Sequence, residues 1–232
     1  PGTPPKCWIY RQHGTTHGLV NVSEAIKVSC NYFFYDVGRR LGIDRLVDYA
    51  TRFGLGQKTG IELWEKAGVM ASREYTESLG QKWYDGNTLS VAIGQENSAF
   101  TPIQLANYIA TLVNGGTRYS THLLKEVKAS DFTSVEYSYE PKVLSTIDIQ
   151  PKNLEAVKAG MLALTSDGSV SRYFQNLGVK VGAKTGSAQI SAQTESNAVF
   201  VCYAPYDDPQ IAISIAVEKG GSGSSLASIA AE

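Results

Sequence analysis

The sequence predicts an α+β fold in which an antiparallel β-sheet is flanked by helices. Three observations carry that reading. Helix-spaced apolar residues recur over 25–50, 102–113 and 153–165. Two runs dense in β-formers, residues 198–203 and 211–217, come near its end, separated by Pro205-Tyr206-Asp207-Asp208-Pro209, a turn signal of hairpin length. A third short apolar run leads through Val179 and Val181 into Lys184 and adds a strand to that hairpin. Helices first and strands last is the α+β order, not the alternation of a parallel sheet.

The elements follow in chain order. Residues 1–18, rich in Pro, Gly and His, read as loop. Ala25, Ile26, Val28, Phe33, Phe34, Val37 and Leu41 then recur at helical spacing, interrupted at Ser29-Cys30-Asn31, with Ser23 as the expected N-cap and Gly42 as the stop. Ile43, Leu46, Val47 and Ala50 repeat the pattern until Gly54 and Gly56 end it. Residues 57–88 carry scattered aromatics and glycines and read as a long surface excursion. The strongest helix runs over 102–113: Thr101 caps it, Pro102 takes its first position and Asn114-Gly115-Gly116 stop it. Short strands and loops are expected over 117–150, then a helix over 153–165 with Leu154, Val157, Met161 and Leu164 on one face. The tract Gly220-Gly221-Ser222-Gly223-Ser224-Ser225 reads as a turn, since it lacks the Gly-Lys-Ser/Thr of a phosphate loop.

Composition narrows the function classes. The 232 residues suffice for one large domain or two small ones with a substantial core. A formal charge of −1 with no long run of either sign argues against a general nucleic-acid surface or a polybasic membrane surface. No apolar stretch approaches the roughly 20 residues needed to span a bilayer, so the chain by itself is expected to be soluble, with any anchor or export signal in a longer parent. Cys7, Cys30 and Cys202 are too few for a disulfide framework, and their spacing matches no zinc motif. The opening Pro1-Gly2-Thr3-Pro4-Pro5 is loop material, and the closing residues 227–232 read as a helix begun and not finished. The chain is therefore expected to be an excised piece.

Two short motifs carry chemistry. In Lys184-Thr185-Gly186-Ser187 a strand presents a cation to an anionic group, a hydroxyl beside it donates a hydrogen bond, and a glycine lets another backbone approach. A second Lys-Thr-Gly, Lys58-Thr59-Gly60, lies among glycines without a strand on both sides and reads as structural. Ser29-Cys30-Asn31 offers a proton-relaying hydroxyl and an amide that can orient a carbonyl; by itself such a triplet is more often a helix interruption.

The wider sequence resembles the class B penicillin-binding proteins. The likeness runs through His17-Gly18, Val20-Asn21 and Ala25 to Ser29-Cys30-Asn31, then Gly38, Leu41-Gly42 and Phe53-Gly54-Leu55-Gly56 with Thr59-Gly60-Ile61-Glu62-Leu63. It continues through Ala92-Ile93-Gly94-Gln95, Thr101-Pro102 with Gln104-Leu105-Ala106, Asn114-Gly115-Gly116, Lys184-Thr185-Gly186, and Phe200 with Tyr203-Ala204-Pro205, ending at Val217-Glu218. The order is the family's, from about residue 7 onward. The resemblance implies a serine β-lactamase/D,D-peptidase-like fold and a peptidoglycan D,D-transpeptidase. Such an enzyme forms an acyl-enzyme on D-Ala-D-Ala stem peptides, binds β-lactam antibiotics, and uses no metal and no organic cofactor. It implies catalytic roles for Ser29, Asn31 and Lys184: Ser29 relays a proton, Asn31 holds the substrate's side-chain amide, and Lys184 with Thr185 binds the terminal carboxylate. Gly186 and Ser187 complete the substrate-binding strand, the Ser187 N–H being one of two oxyanion-hole donors. It further implies a parent anchored to the cell membrane, extracytoplasmic, and working with other cell-wall synthesis proteins.

One member of the family's motif set is missing. No Ser in the chain has a Lys three residues after it. Thr3-Pro4-Pro5-Lys6 imitates the spacing, but it stands too close to Ser29 and its prolines oppose a buried helix. The expectation is a single transpeptidase domain over 1–232, cut at both ends, with an incomplete sheet and its nucleophile outside the chain. Three rivals remain. One is a cysteine acyltransferase built on Cys30 with His13 or His17; another is a catalytically silent module that binds peptidoglycan or a partner. The third is a serine β-lactamase-like hydrolase.

Overall fold

The computed structural model describes residues 5–190 and 193–232. The imitation motif at residues 3–6 begins outside the described residues. The N-terminal segment is not all loop: Trp8–His13 forms helix α1, which begins after Cys7 without a side-chain cap and ends at Gly14 at φ 67°. Helices α2 (Val22–Lys27) and α3 (Asn31–Leu41) follow, broken at residues 28–30 as their pattern predicts. Asn21, not Ser23, caps α2. Its side chain accepts from Glu24 N–H at 3.0 Å, and the Glu24 carboxylate accepts from Asn21 N–H at 2.8 Å. The Ser23 hydroxyl instead donates 2.6 Å to the Ala156 carbonyl, a tertiary contact.

Helix α4 (Ile43–Arg52) is followed by a segment more structured than the sequence suggests. It contains α5 (Arg73–Ser78) and begins α6 (Asp85–Val91), and it buries Ala71 and Trp83 against Ile43 and Val91. Each short element there contributes one or two buried residues, too few to register as periodicity. Helix α7 (Pro102–Val113) starts at the expected Thr101/Gln104 capping box. Four short strands come next: β1 (Thr117–Tyr119) pairs with β4 (Val143–Thr146), and β2 (Glu126–Lys128) pairs with β3 (Val135–Ser138), both antiparallel.

Helix α8 (Pro151–Ser166) leads to the main sheet, β5 (Gly182–Ala188), β6 (Asn197–Ala204) and β7 (Ile211–Val217), antiparallel in that order. A 3-10 turn at Gly223–Leu226, where the sequence suggested a simple turn, enters α9 (Ala227–Ala231). Alternation along β6 divides the core. Val201 and Tyr203 pack with Ile26, Ile109, Leu112 and Met161 under α2, α7 and α8. Ala198, Phe200 and Cys202 face the other way, onto Leu164, Val170, Phe174 and Leu226. Lys184 is paired with Val201 and therefore shares the face that carries α2.

Two contacts fix α2 over this sheet. A Cβ on Gly160 of α8 would sit 2.7 Å from the Ser23 carbonyl oxygen and 2.8 Å from the Ile26 Cβ, so the helices touch at a distance only glycine allows. At the other end of α8 the buried Thr165 hydroxyl donates 2.5 Å to the Val181 carbonyl, joining the helix to the approach to β5. Gly160→Ala is therefore expected to lower stability by about 1–3 kcal/mol through overpacking. Denaturant melts check this; an unchanged midpoint would show that α2 can shift freely.

Candidate active site

Ser29 occupies the turn that ends α2. Its N–H donates 3.3 Å to the Ile26 carbonyl, and Cys30 N–H donates 2.9 Å to Ala25, the bond pattern with which helices usually close on a left-handed glycine. Here the left-handed residue is Ser29 itself, at φ 51°. A side chain in that conformation costs roughly 1–2 kcal/mol, and the turn aims the hydroxyl away from α2 towards the sheet. Lys184 Nζ, 155 positions on, donates to the Ser29 Oγ and also 2.8 Å to the Thr185 carbonyl. Burial of the ammonium lowers the Lys184 pKa to about 8. A lysine so tuned stays mostly charged at neutral pH, yet releases its proton far more readily than one in water.

The remaining expected residues lie nearby in different ways. Asn31 opens α3 two residues after Ser29, partly buried, and its side chain makes no hydrogen bond among the described residues. Thr185 pairs with Phe200 on the sheet face opposite Lys184, and β5 is an edge strand, so only the Thr185 carbonyl meets the lysine. A Cβ on Gly186 would meet nothing nearer than Val199 at 3.5 Å, so packing within the chain does not demand glycine there. The Ser187 hydroxyl accepts 3.1 Å from Gly223 N–H. Gly223 is a site residue that sequence reasoning passed over: a Cβ on it would collide with the carbonyl oxygens of Gly186 and Val199. Its only sequence signal was the glycine-serine tract, read as a turn.

The second Lys-Thr-Gly is built into the framework. Thr59 is 1 % exposed. Its N–H and hydroxyl each donate 2.9 Å to Glu65, whose carboxylate also accepts 2.8 Å from Gly60 N–H. The Lys58 carbonyl accepts 2.9 Å from the buried Arg118, while the Lys58 side chain is exposed. This is a loop anchor, unlike the strand-borne Lys184.

Beneath the Ser29 turn lies a cluster that cysteine spacing concealed. The donor atoms of Cys7, His17 and Cys30 all fall within 4.8 Å of one another, with Cys7 Sγ 3.6 Å from His17 Nδ1. Burial and the neighbouring Cys7 push the Cys30 thiol up, and burial pushes His17 down. A buried thiol with a raised pKa is the opposite of an activated nucleophile, and the thiol beside the imidazole is Cys7, not Cys30. Among the described contacts Cys30 makes no hydrogen bond to His17, the pairing that rival requires, and His13 is exposed at the end of α1. Cysteine spacing along the chain showed no zinc motif, yet two sulfurs and an imidazole stand close enough together to serve as a donor set of the kind zinc takes. The three residues come from the N-terminus of α1, the loop after it and the α2–α3 turn, which is why no linear motif reveals them.

A family profile described as the penicillin-binding protein transpeptidase domain matches residues 2–232. The chain belongs to that family. Among its relatives, the peptidoglycan D,D-transpeptidase MrdA of Escherichia coli K12 is 32 % identical over 249 residues, covering 99 % of this chain and 38 % of MrdA. A structure of Pseudomonas aeruginosa PBP2 in complex with WCK 5153 superposes with a TM-score of 0.78 at 32 % identity, over 91 % of this chain and 48 % of that one. The Helicobacter pylori PBP2 bound to MreC gives a TM-score of 0.80 at 26 % identity, over 97 % of this chain and 40 % of that one. These likenesses place the chain among class B penicillin-binding transpeptidases and bear out the α+β, β-lactamase-like fold. The chain spans well under half the length of the curated relative it matches.

Between pH 8 and about 10.5 the unfolded chain holds a proton on Lys184 that the folded chain has released. Relative to Lys184→Met, the protein's stability should therefore rise with pH across that window and run parallel outside it; a constant difference from pH 7 to 11 would refute the buried ammonium. Zinc is expected to bind the metal-stripped protein with one ion per chain and to shield Cys7 and Cys30 from a thiol reagent. Cys30→Ser should weaken that binding sharply, as read by competition with a chromophoric chelator.

Proposed function

We propose that this chain forms the greater part of the catalytic domain of a peptidoglycan D,D-transpeptidase. The observation that carries the reading is the Lys184–Ser29 contact, which brings the two motifs together from 155 positions apart within a family of penicillin-binding transpeptidases. The nucleophilic serine, absent from any Ser-x-x-Lys in this sequence, is supplied from outside these 232 residues. It attacks the penultimate carbonyl of the D-Ala-D-Ala stem, and D-Ala leaves as an amine. An amine from a neighbouring strand then takes the acyl group and restores the serine.

The residues divide the work. Lys184 donates to the Ser29 oxygen and leaves that hydroxyl's own proton free to pass towards the leaving amine. The lowered lysine pKa eases return of the proton in the second half of the reaction. Asn31, with no described partner for its amide, orients the substrate. Lys184 receives the terminal carboxylate from the sheet face and Thr185 reaches it around the open edge of β5, while Gly186 leaves the strand open to the substrate backbone. The Ser187 N–H donates to the oxyanion, with the strand held in place through Gly223. A β-lactam presents the same carboxylate and carbonyl and is captured in the same way. By likeness to the H. pylori protein solved with MreC, the parent acts with other cell-wall synthesis proteins. It does so on the outer side of the cytoplasmic membrane, tethered by a segment outside this chain; no helix among the described residues is long and apolar enough to cross a membrane.

Intact mass after exposure to benzylpenicillin tests the proposal. The full-length protein is expected to take up one equivalent and this chain none. Lys184→Ala in the full-length protein should slow acylation by roughly 10²-fold or more, whereas Lys58→Ala should leave it unchanged. An adduct on the 232-residue chain would put the nucleophile inside it, and equal effects at the two lysines would overturn the assignment of Lys184.

A further inference from the structure

Ser29 is held in a conformation that its own side chain disfavours, and the contacts within α2 do not account for its stability. The closing bonds of that helix use the carbonyls of Ala25 and Ile26, leaving those of Val28 and Ser29 without helical partners. Both are met by one group from elsewhere in the chain. Trp8 Nε1, in the first turn of α1, donates 3.0 Å to the Ser29 carbonyl and 3.2 Å to that of Val28. The indole is set for this by its surroundings. Its neighbour Cys7 is buried with Cys30 and Ala25, and the Trp8 ring packs at 59° against His17, centroids 5.4 Å apart.

We propose that Trp8 is a positioning residue for the transpeptidase reaction: its indole N–H locks the Ser29 peptide in the left-handed turn and so keeps the Ser29 hydroxyl on Lys184. A serine at φ 51° gains by rotating to an ordinary backbone conformation, and that rotation would swing the Ser29 carbonyl away from the indole and the hydroxyl away from β5. The indole bond is made only in the left-handed state, so it favours that state directly. A phenyl ring would fill much of the same space and supply no donor. Trp8 itself touches neither Lys184 nor Asn31 among the described contacts and acts through Ser29. This inference rests on the proposed role of Ser29 in proton transfer.

The test is a double-mutant cycle on β-lactam acylation in the full-length protein. Trp8→Phe is expected to slow acylation roughly tenfold, the scale of one neutral hydrogen bond. In a Ser29→Ala background the same change should alter the rate less than twofold, because the group it positions is gone. An equal, additive loss in both backgrounds would show that Trp8 serves general packing and would overturn the inference. So would an unchanged rate in Trp8→Phe while Ser29→Ala is slow. If Ser29→Ala alone acylates at the parental rate, the proposed proton relay fails and the role of Trp8 falls with it, a result distinct from the others. Should Trp8→Phe not fold, replacing Trp8 by benzothienylalanine keeps the bicyclic shape and removes only the N–H. Full activity of that variant would sink the proposal, and a tenfold loss with an unchanged melting temperature would support it.

Discussion

The contact of α2 with α8 at Gly160 governs the rest of the structure. Helix α8 is tied to the approach to β5 by the Thr165–Val181 hydrogen bond, and α2 lies directly on α8 because position 160 has no side chain. The Ser29 turn therefore reaches the sheet at the height of Lys184. A shift of α2 by the width of one methyl group would move the serine off the lysine, since both belong to packed elements that do not deform smoothly. The apolar residues shared by α2, α7, α8 and the inner face of β6 form one core cluster that holds these elements together.

Two unfavourable features coexist in the site. A serine occupies backbone space normally left to glycine, and an ammonium sits where burial opposes its charge. Each is held by partners that are themselves well anchored. The Ser29 oxygen and the Thr185 carbonyl accept from the ammonium, and the indole of Trp8 accommodates the turn. At the helix ends after Trp8–His13 and Arg73–Ser78 the left-handed residue is a glycine, Gly14 and Gly80; at the end of α2 it is a serine whose hydroxyl meets Lys184, so backbone strain and a buried charge fall on the same pair of side chains.

Local signals were reliable wherever one element decides its own form. The capping box before α7, the glycine stops and the alternating strands β6 and β7 all reflect bonds made within a few residues. Ser23 shows the limit of such signals. It and Asn21 are both good N-caps two positions apart, and the choice between them fell to a distant carbonyl at Ala156 that claimed the serine hydroxyl. The segment over 57–88 failed for another reason: Trp83 and Ala71 are buried by contacts with Ile43 and Val91, not by a face of their own. Lys58 and Lys184 stand in the same tripeptide, and their surroundings separate them, Glu65 and Arg118 fixing one loop while Ser29 meets the other lysine.

The sequence by itself determined the fold class, the order of the elements, the family and the two motifs, because these depend on periodicity, capping and short strings of residues read along the chain. Tertiary structure alone decided which distant groups meet. It set Thr185 on the sheet face away from Lys184, placed Gly223 against Gly186 and gathered Cys7, His17 and Cys30 beneath the turn. It also brought the Trp8 indole to the Ser29 carbonyl. None of these pairings has a local signature, since each arises from two elements brought together by burying apolar surface elsewhere, and the direction of a side chain at such a junction follows from the packing of both.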